Sequence, residues 1–154
     1  MNGPQETEAE RLIAALELSQ HPEGGHYRQT FRDAAQSSGR AHSTAIYYLL
    51  REGEVSLLHR IDAVEVWHFY RGAPLELTIV EQGKPAELHV LGTAIEKGER
   101  PQVVVPAMAW QGARSLGAYT LVGCTVAPGF EFSTFELAAP DVLSSASARR
   151  TSCP

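Results

Sequence analysis

The chain has 154 residues, 44% hydrophobic and 20% charged, the balance of a single soluble globular domain large enough to bury a core. Its formal net charge of -5 at pH 7 excludes the basic stripe that a phosphate backbone requires, so nucleic acid is not an expected partner. No apolar run approaches the roughly 20 residues that span a bilayer. Met1 to Glu10 is acidic and polar, unlike a signal peptide, so the expectation is a cytoplasmic protein without a membrane partner.

Glu8 to Leu18 places Leu12, Ile13 and Leu16, with Ala9 near them, on one helical face, and predicts a short helix over about 7–18. Thr7 and Glu10 have the spacing of a capping box. His21-Pro22 stops the helix and Glu23-Gly24-Gly25 forces a turn. The periodicity then changes to short β-branched and aromatic runs: His26 to Phe31, Thr44 to Leu50, Val55 to Ile61, Val64 to Tyr70, Leu75 to Glu81, Ala86 to Leu91, Gln102 to Val105 and Tyr119 to Val126. Glycine- and proline-bearing breaks separate them, which predicts a sandwich or barrel rather than βαβ units. Cys124 and Cys153 make no disulfide framework, and Cys124 reads as a small buried hydrophobe in a strand. One domain over 1–139 is expected, with its barrel over about 25–138. Residues 140–154, poor in apolar side chains, are expected to form a disordered tail.

The segment that carries chemistry is Gly53-x5-His59-x-Ile61-x3-Glu65-x6-Gly72. Residues two apart share a strand face, so a turn near Asp62-Ala63 would bring His59 and Glu65 inward from adjacent antiparallel strands. This pattern resembles the first motif of the cupin family, G-x5-H-x-H-x3/4-E-x6-G, with Ile61 in place of its second histidine. Gly98, Pro106-Ala107-Met108-Ala109-Trp110-Gln111 and Ser115 resemble the second motif, G-x5-P-x-G-x2-H-x3-N, with two extra residues before the proline. There Met108 stands at the glycine, Gln111 at the histidine and Ser115 at the asparagine. Glu23-Gly24-Gly25-His26-Tyr27-Arg28, Trp67-His68-Phe69-Tyr70-Arg71-Gly72 and Val122-Gly123-Cys124-Thr125-Val126-Ala127-Pro128-Gly129-Phe130 are similar to one family of single-domain cupins, largely of unknown function. The likeness runs from about Leu12 to Leu137.

The resemblance implies an all-β fold, a double-stranded β-helix (the jelly-roll cupin barrel), with the short N-terminal helix outside. It also implies a small-molecule ligand in the barrel and a homodimer, and a likeness of fold to the dTDP-sugar epimerases. Cupins commonly hold a metal through three histidines and a glutamate, a set suited to Fe, Mn, Ni or Zn. Here the remaining ligands for a divalent metal ion would be His59, Glu65 and Gln111, since the aliphatic Ile61 cannot ligate.

Without a metal, His59 and Glu65 form the candidate catalytic pair, because a carboxylate facing an imidazole raises its pKa and fits it for general acid–base work. Trp67 and Phe69 share strand parity with Glu65 and are expected to wall the pocket, with Gln111 beside them. One of Tyr47 and Tyr48 faces inward, and a tyrosine such as Tyr48 can serve as an acid. Glu23, in its Gly-Gly turn, completes the expected substrate-binding set, with His26 and His42 as candidates for the pocket mouth. Three functions fit: epimerase- or isomerase-like proton transfer, a metal-dependent oxygenase, isomerase or lyase, and non-catalytic small-molecule binding.

Overall fold

The computed structural model of the chain describes residues 5–34, 39–143 and, for the backbone, 149–150. Helix α1 (Glu8–Ala15) opens with both halves of its capping box: Glu10 N donates to Thr7 Oγ1 at 3.2 Å, and Thr7 N donates to Glu10 Oε2 at 2.8 Å. It is shorter than the periodicity predicts, because Glu17 turns left-handed with φ 55° and lets Leu18 dive inward. Ala9, Leu12, Ile13 and Leu16 pack against Leu49, Tyr119 and Leu121, so the helix covers the outside of a sheet, as its apolar stripe requires.

Among the described residues, twelve strands build two facing sheets, each of six. In chain order they are β1 (Ser19–Gln20), β2 (His26–Arg32), β3 (Thr44–Arg51), β4 (Val55–Arg60), β5 (Val64–Gly72) and β6 (Leu75–Val80). There follow β7 (Glu87–Leu91), β8 (Gln102–Val105), β9 (Trp110–Ser115), β10 (Tyr119–Ala127), β11 (Glu136–Leu137) and β12 (Arg149–Arg150). One sheet runs β1-β2-β3-β10-β5-β8 and the other β11-β4-β9-β6-β7-β12, antiparallel throughout except where β12 joins β7. This is the jelly-roll barrel. The eight strands expected from the sequence all form, and β9 is the long one missing from that reading. Its Trp-Gln-Gly-Ala-Arg-Ser run lacks β-branched residues, yet it lies centrally between β4 and β6. At Gly112 a close approach accounts for the glycine, since a Cβ there would meet Ser56 O at 3.2 Å and Leu58 at 3.3 Å. Of the tail, residues 140–143 form a turn and 149–150 pair with Glu87–Leu88; the rest of the expected disordered segment lies outside the described residues. Among the described residues no helix is long and apolar enough to cross a membrane.

One correction concerns the motif itself. β4 and β5 are consecutive but not adjacent: they belong to opposite sheets, and residues 61–63 form the corner between them. His59 and Glu65 therefore face each other across the barrel rather than along a hairpin.

A bulge on β4 adjusts His59. Ser56 pairs with Ala113 and His59 with Gln111, so three steps on β4 oppose two on β9. Both Ser56 and His59 then point inward although they are three positions apart, an odd step that would otherwise put them on opposite faces. The Glu-Gly-Gly turn docks on this bulge through Leu57 N, which donates to Glu23 O at 2.8 Å. Gly24, at φ 109°, lies so close to Val55 O that no Cβ fits between them, and Tyr48 Oη donates to the Gly24 carbonyl. Gly24→Ala should therefore cost at least about 2 kcal/mol of stability, from left-handed strain and collision together. Gly83→Ala, at φ 77° with open space around it, should cost about 1 kcal/mol. Denaturant titration of the two variants checks this ranking, and equal losses would contradict the close approach at Gly24.

Candidate active site

The inner faces of the two sheets are filled at one end and hollow at the other. Trp67, Tyr48, Leu75, Leu77 and Val122 close the filled end. The hollow end is a cavity of about 160 Å³, comparable with an engineered cavity of about 150 Å³ that accepts benzene. Its polar wall is His21, Glu23, Gln29, Thr44, His59 and Glu65. Its apolar wall is Ile46, Ile61, Val126, Phe130 and Phe132, with Tyr27 and Cys124 completing it.

Glu23 and His59 are 5% and 3% exposed, and they pair directly. His59 Nδ1 lies 2.7 Å from the Leu57 carbonyl oxygen, which can only accept, so this nitrogen carries a proton. His59 Nε2 lies 3.0 Å from Glu23 Oε2. Desolvation lowers the His59 pKa, but the Glu23 charge and hydrogen bond outweigh it and the net shift is upward. Desolvation likewise raises Glu23, and the His59 charge and hydrogen bond carry it below its usual value. The pair is therefore imidazolium and carboxylate, with both ring nitrogens donating.

His21 behaves differently. The backbone N–H of Glu23 donates to His21 Nδ1 at 3.1 Å, so that nitrogen is an acceptor. Burial also pushes the ring's pKa down. Its 3.9 Å approach to Glu23 Oε1 is thus a contact of a neutral imidazole rather than an ion pair.

Glu65 faces this pair from the other sheet and is 8% exposed. Burial raises its pKa, His59 opposes the rise and Glu23 adds to it, so the carboxyl is pushed up to about 7. Gln111 and the Cys124 thiol pull weakly the other way. Gln111 Nε2 is buried with no partner in hydrogen-bond range, so its pull acts at longer distance. A carboxyl that titrates near neutrality can both deliver and accept a proton at working pH.

Of the residues singled out from the sequence, His59, Glu65 and Glu23 meet at the cavity. Tyr48, Trp67, Phe69 and Gln111 are not among the described residues that line it, and neither are His26 and His42. Strand parity points Trp67 inward as expected, but each pair of residues advances about 6.6 Å along the strand. Trp67 therefore sits below Glu65 in the packed end, where its Nε1 donates to Gln111 Oε1 at 2.7 Å. Phe69 packs on that same cluster, and Tyr48 is spent on the Gly24 carbonyl. The immediate partner of His59 is Glu23, not Glu65.

His21, Tyr27, Cys124, Phe130 and Phe132 were not expected in the wall. Their signal lay in the Glu-Gly-Gly turn and in the Gly123 to Phe130 segment, where the chain bends beside the barrel mouth. Phe130 and Phe132 meet edge to face at 4.9 Å, and Phe135 stacks on the His59 ring at 5.2 Å. These rings come from the stretch around the short 3₁₀ turn at Phe132–Thr134, which closes over the imidazole.

The residues offered as metal ligands do not fit that task. A ligating imidazole needs a free nitrogen lone pair, whereas both His59 nitrogens donate, to Leu57 O and to Glu23. Gln111 Oε1 is taken by the Trp67 indole, and Ile61 offers nothing. Among the described residues no group of three or more His, Cys, Asp or Glu is arranged to hold a metal ion.

A jelly-roll barrel of two facing six-stranded sheets around a cavity is the architecture of the cupin fold. The family model described as "Cupin superfamily (DUF985)" matches residues 10–138, and the chain belongs to that family. Among solved structures it is similar to a protein of Shewanella oneidensis, at 38% identity and a TM-score of 0.85, covering 92% of this chain and 90% of that one. It is also similar to a hypothetical protein from Leishmania major, at 27% identity and a TM-score of 0.80, covering 93% and 100%. Oxalate decarboxylase from Bacillus subtilis shares the fold alone, at 14% identity and a TM-score of 0.61 over 77% of this chain and 29% of that one. No protein of curated function matches.

The raised Glu65 carboxyl has a consequence for stability. Between its ordinary value of 4.5 and its folded value of about 7, the unfolded chain releases a proton that the folded chain keeps. Stability therefore falls as pH rises through that window, by up to about 3 kcal/mol. Glu65→Gln, which keeps the shape and removes the charge, should melt higher than the wild type at pH 8 and match it at pH 5. Identical melting curves at pH 8 would show that Glu65 bears no such burden.

Proposed function

We propose that this cupin catalyses proton transfer on a small molecule held in the barrel mouth, an epimerase- or isomerase-like reaction that needs no metal. The observation that carries the reading is the placement of Glu65, a carboxyl of pKa about 7, across one cavity from the imidazolium–carboxylate pair of His59 and Glu23. Glu65 is the group that exchanges a proton with the substrate. His59, charged and fixed by Leu57 O and Glu23, presents positive charge toward whichever substrate oxygen or nitrogen gains electron density as the proton leaves. Phe135 on the outer face of the imidazole keeps water from it.

This assigns the roles differently from a plain histidine base with a tyrosine acid. His59 already holds two protons, and burial raises the Tyr48 pKa well above its ordinary value while the hydroxyl donates to a backbone carbonyl. The cavity volume limits the part of the substrate it encloses to roughly the size of a six-membered ring.

The test works with the substrate unidentified. Purified protein is incubated in D2O with panels of small aldoses, ketones, hydroxy acids and amino acids, and loss of an activated C–H signal is followed by NMR. Exchange should persist after exhaustive chelation. Glu65→Gln and His59→Ala should each slow it by about 10²–10⁴-fold. Exchange that appears only after a divalent ion is added, or that survives in Glu65→Gln, would discard the reading in favour of a metal-dependent cupin or a simple binder.

A further inference from the structure

The charge lining the cavity is one-sided. Two acidic side chains, Glu23 and Glu65, face it, and no Lys or Arg is among the described residues of its wall. The single positive charge, on His59, is already matched by Glu23 at 3.0 Å. His21 is neutral, since its Nδ1 accepts from a backbone N–H. The arginines on neighbouring segments are turned to acids elsewhere: Arg28 to Glu17 at 3.0 Å, Arg60 to Glu136 at 2.8 Å and Arg71 to Glu8 at 2.6 Å.

Glu65 thus stands in the wall with no cation within ion-pair distance among the described residues, facing His59 from β4, Glu23 from the turn, Gln111 from β9 and Cys124 from β10. The rest of the enclosure is aromatic and aliphatic. Tyr27 meets His21 edge to face at 4.4 Å, and Phe130 meets Phe132 at 4.9 Å. Aromatic rings around a carboxylate without a counter-ion form the surroundings in which an organic ammonium group is most favoured over an anion.

We propose that the cavity selects a small, compact organic cation, an amine whose ammonium group faces Glu65 while its apolar body packs among Tyr27, Ile46, Phe130 and Phe132. The proposal rests on the acid–base reading of the same site and names its substrate class. An anionic substrate would face two acidic side chains and an imidazolium already paired with Glu23, which disfavours carboxylates and nucleoside diphosphates in the enclosed part of the site.

Three probes of one shape separate the possibilities: benzylammonium, benzyl alcohol and benzoate, each titrated by calorimetry into the full chain at pH 8. Benzylammonium should bind about tenfold or more tightly than the alcohol, with benzoate weakest. Glu65→Gln should erase that preference. Gln29→Lys, a change at an exposed residue of the cavity wall that threatens no core packing, should weaken benzylammonium and strengthen benzoate. Undetectable benzylammonium binding, benzoate binding as tight as the ammonium, or a preference that survives Glu65→Gln each overturns the cation site. Deuterium exchange distinguishes this failure from that of the parent reading. Exchange confined to neutral or anionic compounds and lost in Glu65→Gln refutes the cation site and keeps the proton transfer, whereas ammonium selectivity without exchange in any amine does the reverse.

Discussion

The buried contact between Glu23 and His59 constrains more of this structure than any other. Desolvating two ionisable groups is expensive, and their attraction offsets the cost only when every remaining polar position is satisfied. Backbone groups supply part of that compensation. Leu57 contributes its carbonyl to His59 Nδ1 and its N–H to the Glu23 carbonyl, so one peptide segment clamps both partners. The β4 bulge exists where Leu57 must do this, and Gly24 is glycine because its turn presses against Val55. Removing one partner would leave the other as a lone buried charge, a loss of about 3–5 kcal/mol in comparable cases.

Glu65 owes its raised pKa first to burial; the His59 charge opposes that rise, and the Glu23 charge in the same low-dielectric space adds to it. A site with two carboxyls and one imidazole therefore divides them into a fixed ion pair and a carboxyl ready to titrate. Environment, not residue type, separates the two glutamates.

The filled half of the barrel supports the hollow half. Trp67 and Gln111 bond to each other beneath the cavity floor, and Gln111 stands at the ladder position opposite His59. The loop leading into β9 shows how tightly this end is specified. Met108 takes the left-handed conformation, φ 67°, where the family motif has a glycine, and its N–H donates to Ile61 O at 2.8 Å. That bond joins the β9 loop to the corner between β4 and β5, so backbone geometry at the corner persists without the usual residue.

The sequence by itself determined the barrel. Eight short β-branched and aromatic runs, the capping box and the Gly53 to Gly72 spacing are local signals, and composition and punctuation express them directly. It also named His59, Glu65 and Glu23, because a histidine and a glutamate at inward positions and an acid before paired glycines are legible in one dimension. It could not decide which acid meets the imidazole. Parity says which face a side chain takes, not which sheet its strand joins, and β4 and β5 joined different sheets. Nor could it say how deep along the axis Trp67 and Phe69 would fall, or that β9, without β-branched residues, would lie centrally between β4 and β6. Those outcomes depend on contacts between segments far apart in the chain. Leu57 against Glu23, Gly112 against Ser56 and Phe135 over His59 are such contacts, and only the closed barrel brings them together.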